Sequence, residues 1–213
     1  MVNFLIVDDH PIFRHGLIAL IQSEPRYRVI AEAGSAAEAL AAIAREVPDV
    51  LLLDISLGEG NGLDLLKVVH AAHPEVRVLV VSIHDESVYA ERALRAQARG
   101  YLMKQEASSV LKEAIATILA GKVFVSAAYR DRLLEKAWVT GGESSRPKAS
   151  LLSDREFEVL ESMGRGLGAM EIASSMGISV KTVGVYQDHI KKKLSIDNIS
   201  ELRKYAVAWM QGH

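Results

Sequence analysis

The chain has 213 residues, enough for one domain of ordinary size and a second small one. Apolar residues make up 49% and charged residues 24%, the usual balance of a soluble globular protein, and the absence of cysteine excludes disulfides, thiolate nucleophiles and Cys-based zinc sites. The net charge of −2 is unevenly spread: residues 1–125 carry −4, residues 126–150 carry +2 and residues 151–213 carry 0, so no part is basic in bulk and Lys191-Lys192-Lys193 is the one dense basic cluster.

The N-terminus enters directly on Phe4-Leu5-Ile6-Val7 and two aspartates, without the basic start and longer apolar run of a signal peptide. No stretch of about 18 apolar residues follows, so neither secretion nor a membrane span is expected and the chain is placed in the cytoplasm. Short apolar runs then alternate with amphipathic stretches. Strands are predicted at Phe4–Val7, Arg28–Ala31, Val50–Leu53, Val78–Val81 and Tyr101–Met103. Helices are predicted between and after them, at Ile12–Glu24, Ala36–Glu46, Leu63–Ala72, Ser87–Ala96 and Val110–Ala120. The strand runs are apolar throughout rather than alternating, as expected where both faces are covered. Strand followed by helix, repeated through residues 1–125, predicts an α/β domain with a doubly wound five-stranded parallel sheet.

Ala127–Ala137 reads as a further helix, and the Gly, Ser and Pro of Thr140–Pro147 read as a flexible linker, so residues 126–149 form a connector. From residue 150 to 213 only helix-period apolar residues appear, which predicts a small all-α domain. Within it, the short helix Met170–Met176, the turn at Gly177 and a second helix from Val180 to Leu194 capped by Ser179 form a helix-turn-helix pattern. Val183, Ile190 and Leu194, with Tyr186 or Gln187 between them, make the buried stripe of that second helix. Lys181, Gly184, Val185, Asp188 and Lys192 occupy the opposite face, which suits the major groove, with Lys191 and Lys193 beside it for phosphates. A last helix, Ser200–Met210, places Leu202, Tyr205, Ala206 and Trp209 at helical spacing.

Chemistry concentrates at the carboxyl ends of the predicted strands, where ligands bind in open α/β sheets. Asp8 and Asp9 follow the first strand and Asp54 the third; the order 2-1-3-4-5 makes those strands neighbours, so the carboxylates converge. Their mutual repulsion is relieved by a hard divalent cation, for which Mg²⁺ is the natural choice. Ser82 ends the fourth strand and Lys104 the fifth, adding a hydroxyl donor and an ammonium for phosphoryl oxygens.

Val7-Asp8-Asp9-His10-Pro11, Leu53-Asp54, Val81-Ser82 and Gly100-Tyr101-Leu102-Met103-Lys104 together resemble the receiver domain of two-component response regulators. The resemblance implies that Asp54 takes the phosphoryl group and that Asp8, Asp9, Asp54 and the Ser56 backbone carbonyl hold Mg²⁺. It further implies that Ser82 and Lys104 bind phosphoryl oxygens and that Ser82 and Tyr101 form the switch. One departure stands out: the proline usual four residues after the acceptor is replaced by Gly58, and with Gly60 nearby a looser loop is expected, which bears on the lifetime of the phosphoryl group.

Leu152-Ser153-Asp154-Arg155-Glu156-Phe157-Glu158-Val159-Leu160, Glu171-Ile172-Ala173, Ser179-Val180-Lys181-Thr182-Val183 and Lys193-Leu194 resemble the LuxR-type helix-turn-helix, so the whole chain is similar to the NarL/FixJ class. That resemblance implies DNA contacts from Lys181, Thr182, Val185, Asp188, Lys191, Lys192 and Lys193. It also implies pairing of two copies through Leu202, Tyr205, Ala206 and Trp209. Gly184 and Asp188 depart from the long polar side chains usual there. The partners implied are a sensor histidine kinase, double-stranded promoter DNA and a second copy of the chain. No enzyme activity is expected beyond the protein's own phosphoryl transfer and dephosphorylation. A phosphatase similar to the haloacid dehalogenases would need an aspartate two residues after Asp54, where Ser56 stands. A receiver acting only through protein contacts is the remaining alternative.

Overall fold

The computed structural model of the chain describes residues 1–58, 60–139 and 148–211. The predicted linker Thr140–Pro147 lies outside the described residues. Two compact units are present, Met1–Lys136 and Ala137–His213.

The first unit is built on five parallel strands: β1 (Val2–Val7), β2 (Tyr27–Ala33), β3 (Val50–Leu53), β4 (Arg77–Ser82) and β5 (Gly100–Met103). They lie in the order β2-β1-β3-β4-β5. β1 runs from Phe4 to Val7 without exposure, and β3 and β4 are likewise buried, which is why their sequences show no alternation. The edge strand β2 differs, for it is only half-buried and its Arg28 and Glu32 are exposed.

Five helices follow the strands: α1 (Pro11–Gln22), α2 (Ala36–Arg45), α3 (Gly62–Ala72), α4 (Glu86–Arg95) and α5 (Ala107–Leu119). Their starts are written locally: Pro11 opens α1, and Ser35, Asn61 and Asp85 accept backbone N–H bonds from Glu38, Leu63 and Ser87. Leu17 and Ile21 of α1 pack with Leu111, Ile115 and Ile118 of α5 onto Phe4, Ile6 and Leu52. α5 begins three residues before its predicted start and is preceded by a 3₁₀ turn at Lys104–Glu106.

The stretch after Asp54 contains a short paired segment that was not anticipated. Ser56–Leu57 pairs antiparallel with Gly60–Asn61, Ser56 opposite Asn61, and Gly58 sits at φ +58°. A hairpin turn at positive φ suits glycine and excludes proline, whose ring holds φ near −65°. Glycine at position 58 therefore has a conformational reason that proline could not meet. Gly62, which opens α3, lies against the acceptor backbone: a Cβ there would fall 2.0 Å from the Asp54 carbonyl oxygen.

Helix α6 (Ala127–Val139) follows a strap, residues 122–126, that runs beside β5. Phe124 forms a parallel bridge with Gly100, donates its N–H to the Arg99 carbonyl at 3.0 Å and accepts the Tyr101 N–H at 2.9 Å. Glu86 accepts the Ser126 N–H at 2.8 Å, and Tyr129 is buried.

The second unit contains α7 (Asp154–Gly164), α8 (Ala169–Ser175), α9 (Val180–Leu194) and α10 (Ile199–Gln211). A reciprocal capping box between Ser153 and Glu156 starts α7. Phe157 and Leu160 of α7, Ile172 of α8, Val183, Ile190 and Leu194 of α9, and Leu202 and Ala206 of α10 are its core. α10 crosses α7 so closely that a Cβ on Gly164 would lie 2.5 Å from Met210 Cγ and 2.7 Å from the Ala206 carbonyl oxygen. This corrects the expectation for α10. Leu202 and Ala206 are fully buried within their own domain and are not available to a partner copy, whereas Tyr205 and Trp209 are partly exposed, with Trp209 edge-on to Phe157 at 5.1 Å between ring centroids.

Substituting Gly62→Ala is expected to push α3 away from the Asp54 backbone and to lower stability by about 1–3 kcal/mol, the usual cost of forcing a methyl into a packed site. Denaturant unfolding of the full chain measures it, and unchanged stability would show that the contact is not rigid.

Candidate functional site

The ends of β1, β3 and β5 bring Asp8, Asp54 and Lys104 together. Asp8 and Asp54 are both 1% exposed. Lys104 Nζ lies between them, 2.6 Å from Asp8 Oδ2 and 2.7 Å from Asp54 Oδ2, and 4.6 Å above the centre of the Phe13 ring. Arg14 Nη1 donates to the Asp8 carbonyl at 2.7 Å, fixing the end of β1, and its Nε pairs with Glu32 at 2.7 Å. Burial pushes the Asp54 pKa above its ordinary value, and Asp8 adds to this, while Lys104 and the Ser56 N–H pull the other way.

Ser82 and Tyr101 are fully buried. The Tyr101 hydroxyl donates to the His84 carbonyl at 2.9 Å, and the His84 N–H reaches Ser82 Oγ at 3.4 Å. His84 Nε2 lies 3.0 Å from Ser56 Oγ, and its ring stacks on Tyr89 with centroids 4.5 Å apart. His84 thus joins the acceptor loop, Ser82 and Tyr101. Sequence reading missed it, although its place two residues after Ser82 was a signal. His10 was quoted in the motif without a role, yet its Nδ1 lies 2.7 Å from Asp9 Oδ1 and 3.2 Å from Asp8 Oδ1.

The donor set fits a divalent cation. Asp8, Asp9 and Asp54 each offer a carboxylate oxygen, and His10 a ring nitrogen, with these atoms all within 4.8 Å of one another. Three carboxylates balanced by one lysine leave an excess of negative charge that such a cation would neutralise.

In the second unit, α8, the turn and α9 have the expected helix-turn-helix layout. Gly177 takes φ +63°, and the Ser179 hydroxyl accepts the Thr182 N–H at 3.0 Å and lies 2.8 Å from the Thr182 hydroxyl. Lys181, Val185, Asp188 and Lys192 are exposed along one face of α9. A Cβ on Gly184 would meet nothing within 4 Å. Gln187 instead turns toward α7, its Nε2 lying 3.8 Å from Met163 Sδ. Lys191 Nζ pairs with Asp188 at 3.0 Å, and this bond holds the Asp188 carboxyl below its usual range. Lys193 Nζ lies 2.6 Å from Glu156, the capping residue of α7, so it ties α9 to α7. Burial would raise the Glu156 carboxyl, but Lys193 and the Ser153 N–H and hydroxyl outweigh it and leave it lowered.

Among the described residues no helix is long and apolar enough to cross a membrane. Residues 4–116 match the family described as response regulator receiver domain, and residues 150–206 match bacterial regulatory proteins, luxR family. The oxygen regulatory protein NreC of Staphylococcus aureus is 31% identical over 211 residues, covering 97% of both chains. NreC of Staphylococcus carnosus is 29% identical over 210 residues, again covering 97% of each. RcsB of Salmonella enterica serovar Typhimurium, bound to promoter P1flhDC with the phosphomimetic BeF3⁻, is similar at a TM-score of 0.64 and 26% identity, over 97% of this chain and 98% of that one. A LuxR-family two-component response regulator of Aurantimonas aligns at a TM-score of 0.60 and 32% identity, over 65% of this chain and 99% of that one.

The raised Asp54 carboxyl has a sign in stability. Its folded pKa exceeds the unfolded value of about 3.9, so its favourable contribution is full below that pH and is lost as pH rises through the folded value. In the presence of a chelator, Asp54→Asn is expected to gain stability relative to the parent across that rise and then level off. A pH-independent difference would overturn the assignment.

Glu156 has the opposite sign. Its contribution is present above the ordinary glutamate value of about 4.3 and is lost as pH falls through the lowered one. Lys193→Ala is expected to cost about 1–2 kcal/mol at neutral pH, discounted because Lys193 is partly exposed, with the loss shrinking in acid. Urea unfolding at two pH values checks both claims.

Proposed function

The chain belongs to the response regulators that join a receiver domain to a LuxR-family DNA-binding domain, and from that membership we propose that a sensor histidine kinase phosphorylates Asp54 to control promoter binding by α9. The observation that carries the reading is Lys104 held between Asp8 and Asp54, beside Asp9, at the common end of β1, β3 and β5.

Asp8, Asp9, Asp54 and the Ser56 backbone carbonyl would hold Mg²⁺, which supplies positive charge to the oxygens of the transferred group. An Asp54 carboxylate oxygen attacks phosphorus, the P–N bond to the donor histidine breaks, and the imidazole leaves with the electron pair. Lys104 turns from the carboxylates to a phosphoryl oxygen, and the Ser82 hydroxyl donates to another. Movement of Ser82 draws on the His84 N–H that bonds it, and the His84 carbonyl carries the shift to the buried Tyr101 hydroxyl. Water attack on the acyl phosphate resets the protein, so its chemistry is confined to its own phosphoryl group. A regulator of this kind works in the cytoplasm, where its kinase domain and DNA meet it.

For DNA, Lys181 and Lys192 are the phosphate contacts and Val185 faces the bases, with Thr182, Asp188 and Lys191 beside them. Lys193 acts through Glu156 and not at DNA. Pairing of two copies would use surface outside the buried Leu202 and Ala206, such as the exposed face of α10 that carries Val207. The complex of RcsB with promoter DNA in the presence of BeF3⁻ supports a phosphorylation-linked DNA-binding state for this chain too.

Acetyl phosphate with Mg²⁺ is expected to label the parent, and Asp54→Asn to abolish labelling. Asp9→Ala should raise the Mg²⁺ concentration required. Undiminished labelling of Asp54→Asn would overturn the reading.

On DNA, Lys181→Ala and Lys192→Ala are each expected to lower the salt slope by about 1. Gly184→Arg should raise affinity, because position 184 opens onto free space and the substitution also removes a helix cost of about 1 kcal/mol. Binding titrations over a range of salt concentrations decide this. Unchanged affinity in Gly184→Arg would mean that this face does not meet DNA.

A further inference from the structure

His10 is the least explained side chain of the acidic pocket. It occupies the N-cap position of α1, yet its side chain makes no capping hydrogen bond. Its ring turns inward instead. Nδ1 lies 2.7 Å from Asp9 Oδ1, 3.2 Å from Asp8 Oδ1 and 3.9 Å from Asp54 Oδ2, so one nitrogen faces all three carboxylates. Lys104 Nζ is 3.5 Å away, but it is directed at Asp8 Oδ2 and Asp54 Oδ2. The His10 side chain is 56% exposed, so no packing demand fixes the ring there.

An oxygen-only site suits Mg²⁺, a hard cation that keeps several waters. An imidazole nitrogen added to two or three carboxylates changes the preference toward Co²⁺ and Zn²⁺, which take nitrogen ligands more readily than Mg²⁺ or Mn²⁺ and lie later in the order of increasing affinity across the first row. We propose that His10 Nδ1, with Asp8, Asp9 and Asp54, makes this pocket a site for borderline transition-metal dications, bound more tightly than Mg²⁺ through His10. The proposal rests on the reading of the pocket as a divalent-cation site and adds which cations it selects. His10 contributes nothing to Mg²⁺, and for the transition ions it supplies a ligand that Mg²⁺ leaves to water.

The test uses the full chain without any phosphodonor. Binding of Mg²⁺, Mn²⁺ and Co²⁺ is measured by calorimetry, and bound Co²⁺ also by its visible absorption, whose intensity and position report nitrogen ligation. Parent, His10→Ala, His10→Asn and Asp9→Ala are compared, and Asp9→Ala serves to subtract binding at the chain's other six histidines. Co²⁺ affinity is expected to fall about tenfold or more in both His10 variants, in line with the loss of a ligand, Mn²⁺ affinity less, and Mg²⁺ affinity to stay within about twofold. His10→Asn retains a hydrogen-bonding group beside Asp9, so an equal loss in both variants supports ligation. Recovery in His10→Asn overturns it in favour of a role in placing Asp9. Equal Co²⁺ affinity in parent and His10→Ala, or a matching loss of Mg²⁺, also overturns it. Parent and Asp9→Ala binding Mg²⁺ alike would instead defeat the cation-site reading itself, an outcome distinct from the other two.

Discussion

Lys104 is what allows Asp8 and Asp54 to be buried side by side. Two carboxylates withdrawn from water repel each other and each loses hydration, a combination that proteins accept only with a close cation or with protonation. The ammonium at 2.6 and 2.7 Å from the two groups supplies that cation from the far side of the sheet. The arrangement depends on register. Val7 lies opposite Leu53 and Ser82 opposite Met103, so Asp8, Asp54 and Lys104 each stand one residue beyond a paired position at the same end of the sheet. A slip of one residue in β5 would move Lys104 off this level and turn every side chain of that strand to the other face. The Arg14 bond to the Asp8 carbonyl and the approach of Gly62 to the Asp54 backbone hold the same level from the helix side.

Much of this was legible in the chain. The uniform apolar runs of β1, β3 and β4 announced strands covered on both faces, and the polar residues just after them announced the site. The uniform reading failed only at β2, an edge strand with Arg28 and Glu32 in water. The Ser56–Asn61 hairpin was not legible, because its arms are two residues each and too short for any periodicity. Gly58 was noticed, but whether a glycine loosens a loop or supplies the positive φ of a paired turn depends on backbone pairing that composition does not carry. His84 was hidden for a related reason: its bonds to Ser82 and to Tyr101 both use its backbone atoms, which every residue possesses.

The helical domain shows a second kind of ambiguity. An amphipathic stripe says that a helix buries one side, not which surface covers it. The stripe of α10 fitted a partner copy as well as α7, and the structure gives it to α7 through Ala206, Met210 and the Trp209–Phe157 contact. The lysines of α9 behave alike. Three in a row look equivalent in sequence, but successive residues on a helix point about 100° apart, so Lys191 pairs with Asp188, Lys193 pairs with Glu156, and Lys192 is exposed on the face that carries Lys181 and Val185.

The strap beyond α5 ties the pocket to the start of α6 by bonds that leave no sequence trace. Tyr101 is held at both ends, its hydroxyl by the His84 carbonyl and its N–H by the Phe124 carbonyl. The same strap covers the outer edge of β5, which would otherwise present unpaired backbone groups. Two residues after Phe124, the Ser126 N–H meets Glu86, which opens α4 two residues after His84. Tyr129 is then buried in the first turn of α6, and its hydroxyl pKa is raised by that burial and by Glu91 and Glu86 of α4. The loop from Ser82 to Glu86 is therefore the common attachment of the acceptor site, the aromatic switch and the start of α6. The Ser82, Tyr101 and Ser126 bonds thus meet on five residues of the chain, so a displacement of that stretch strains all three at once.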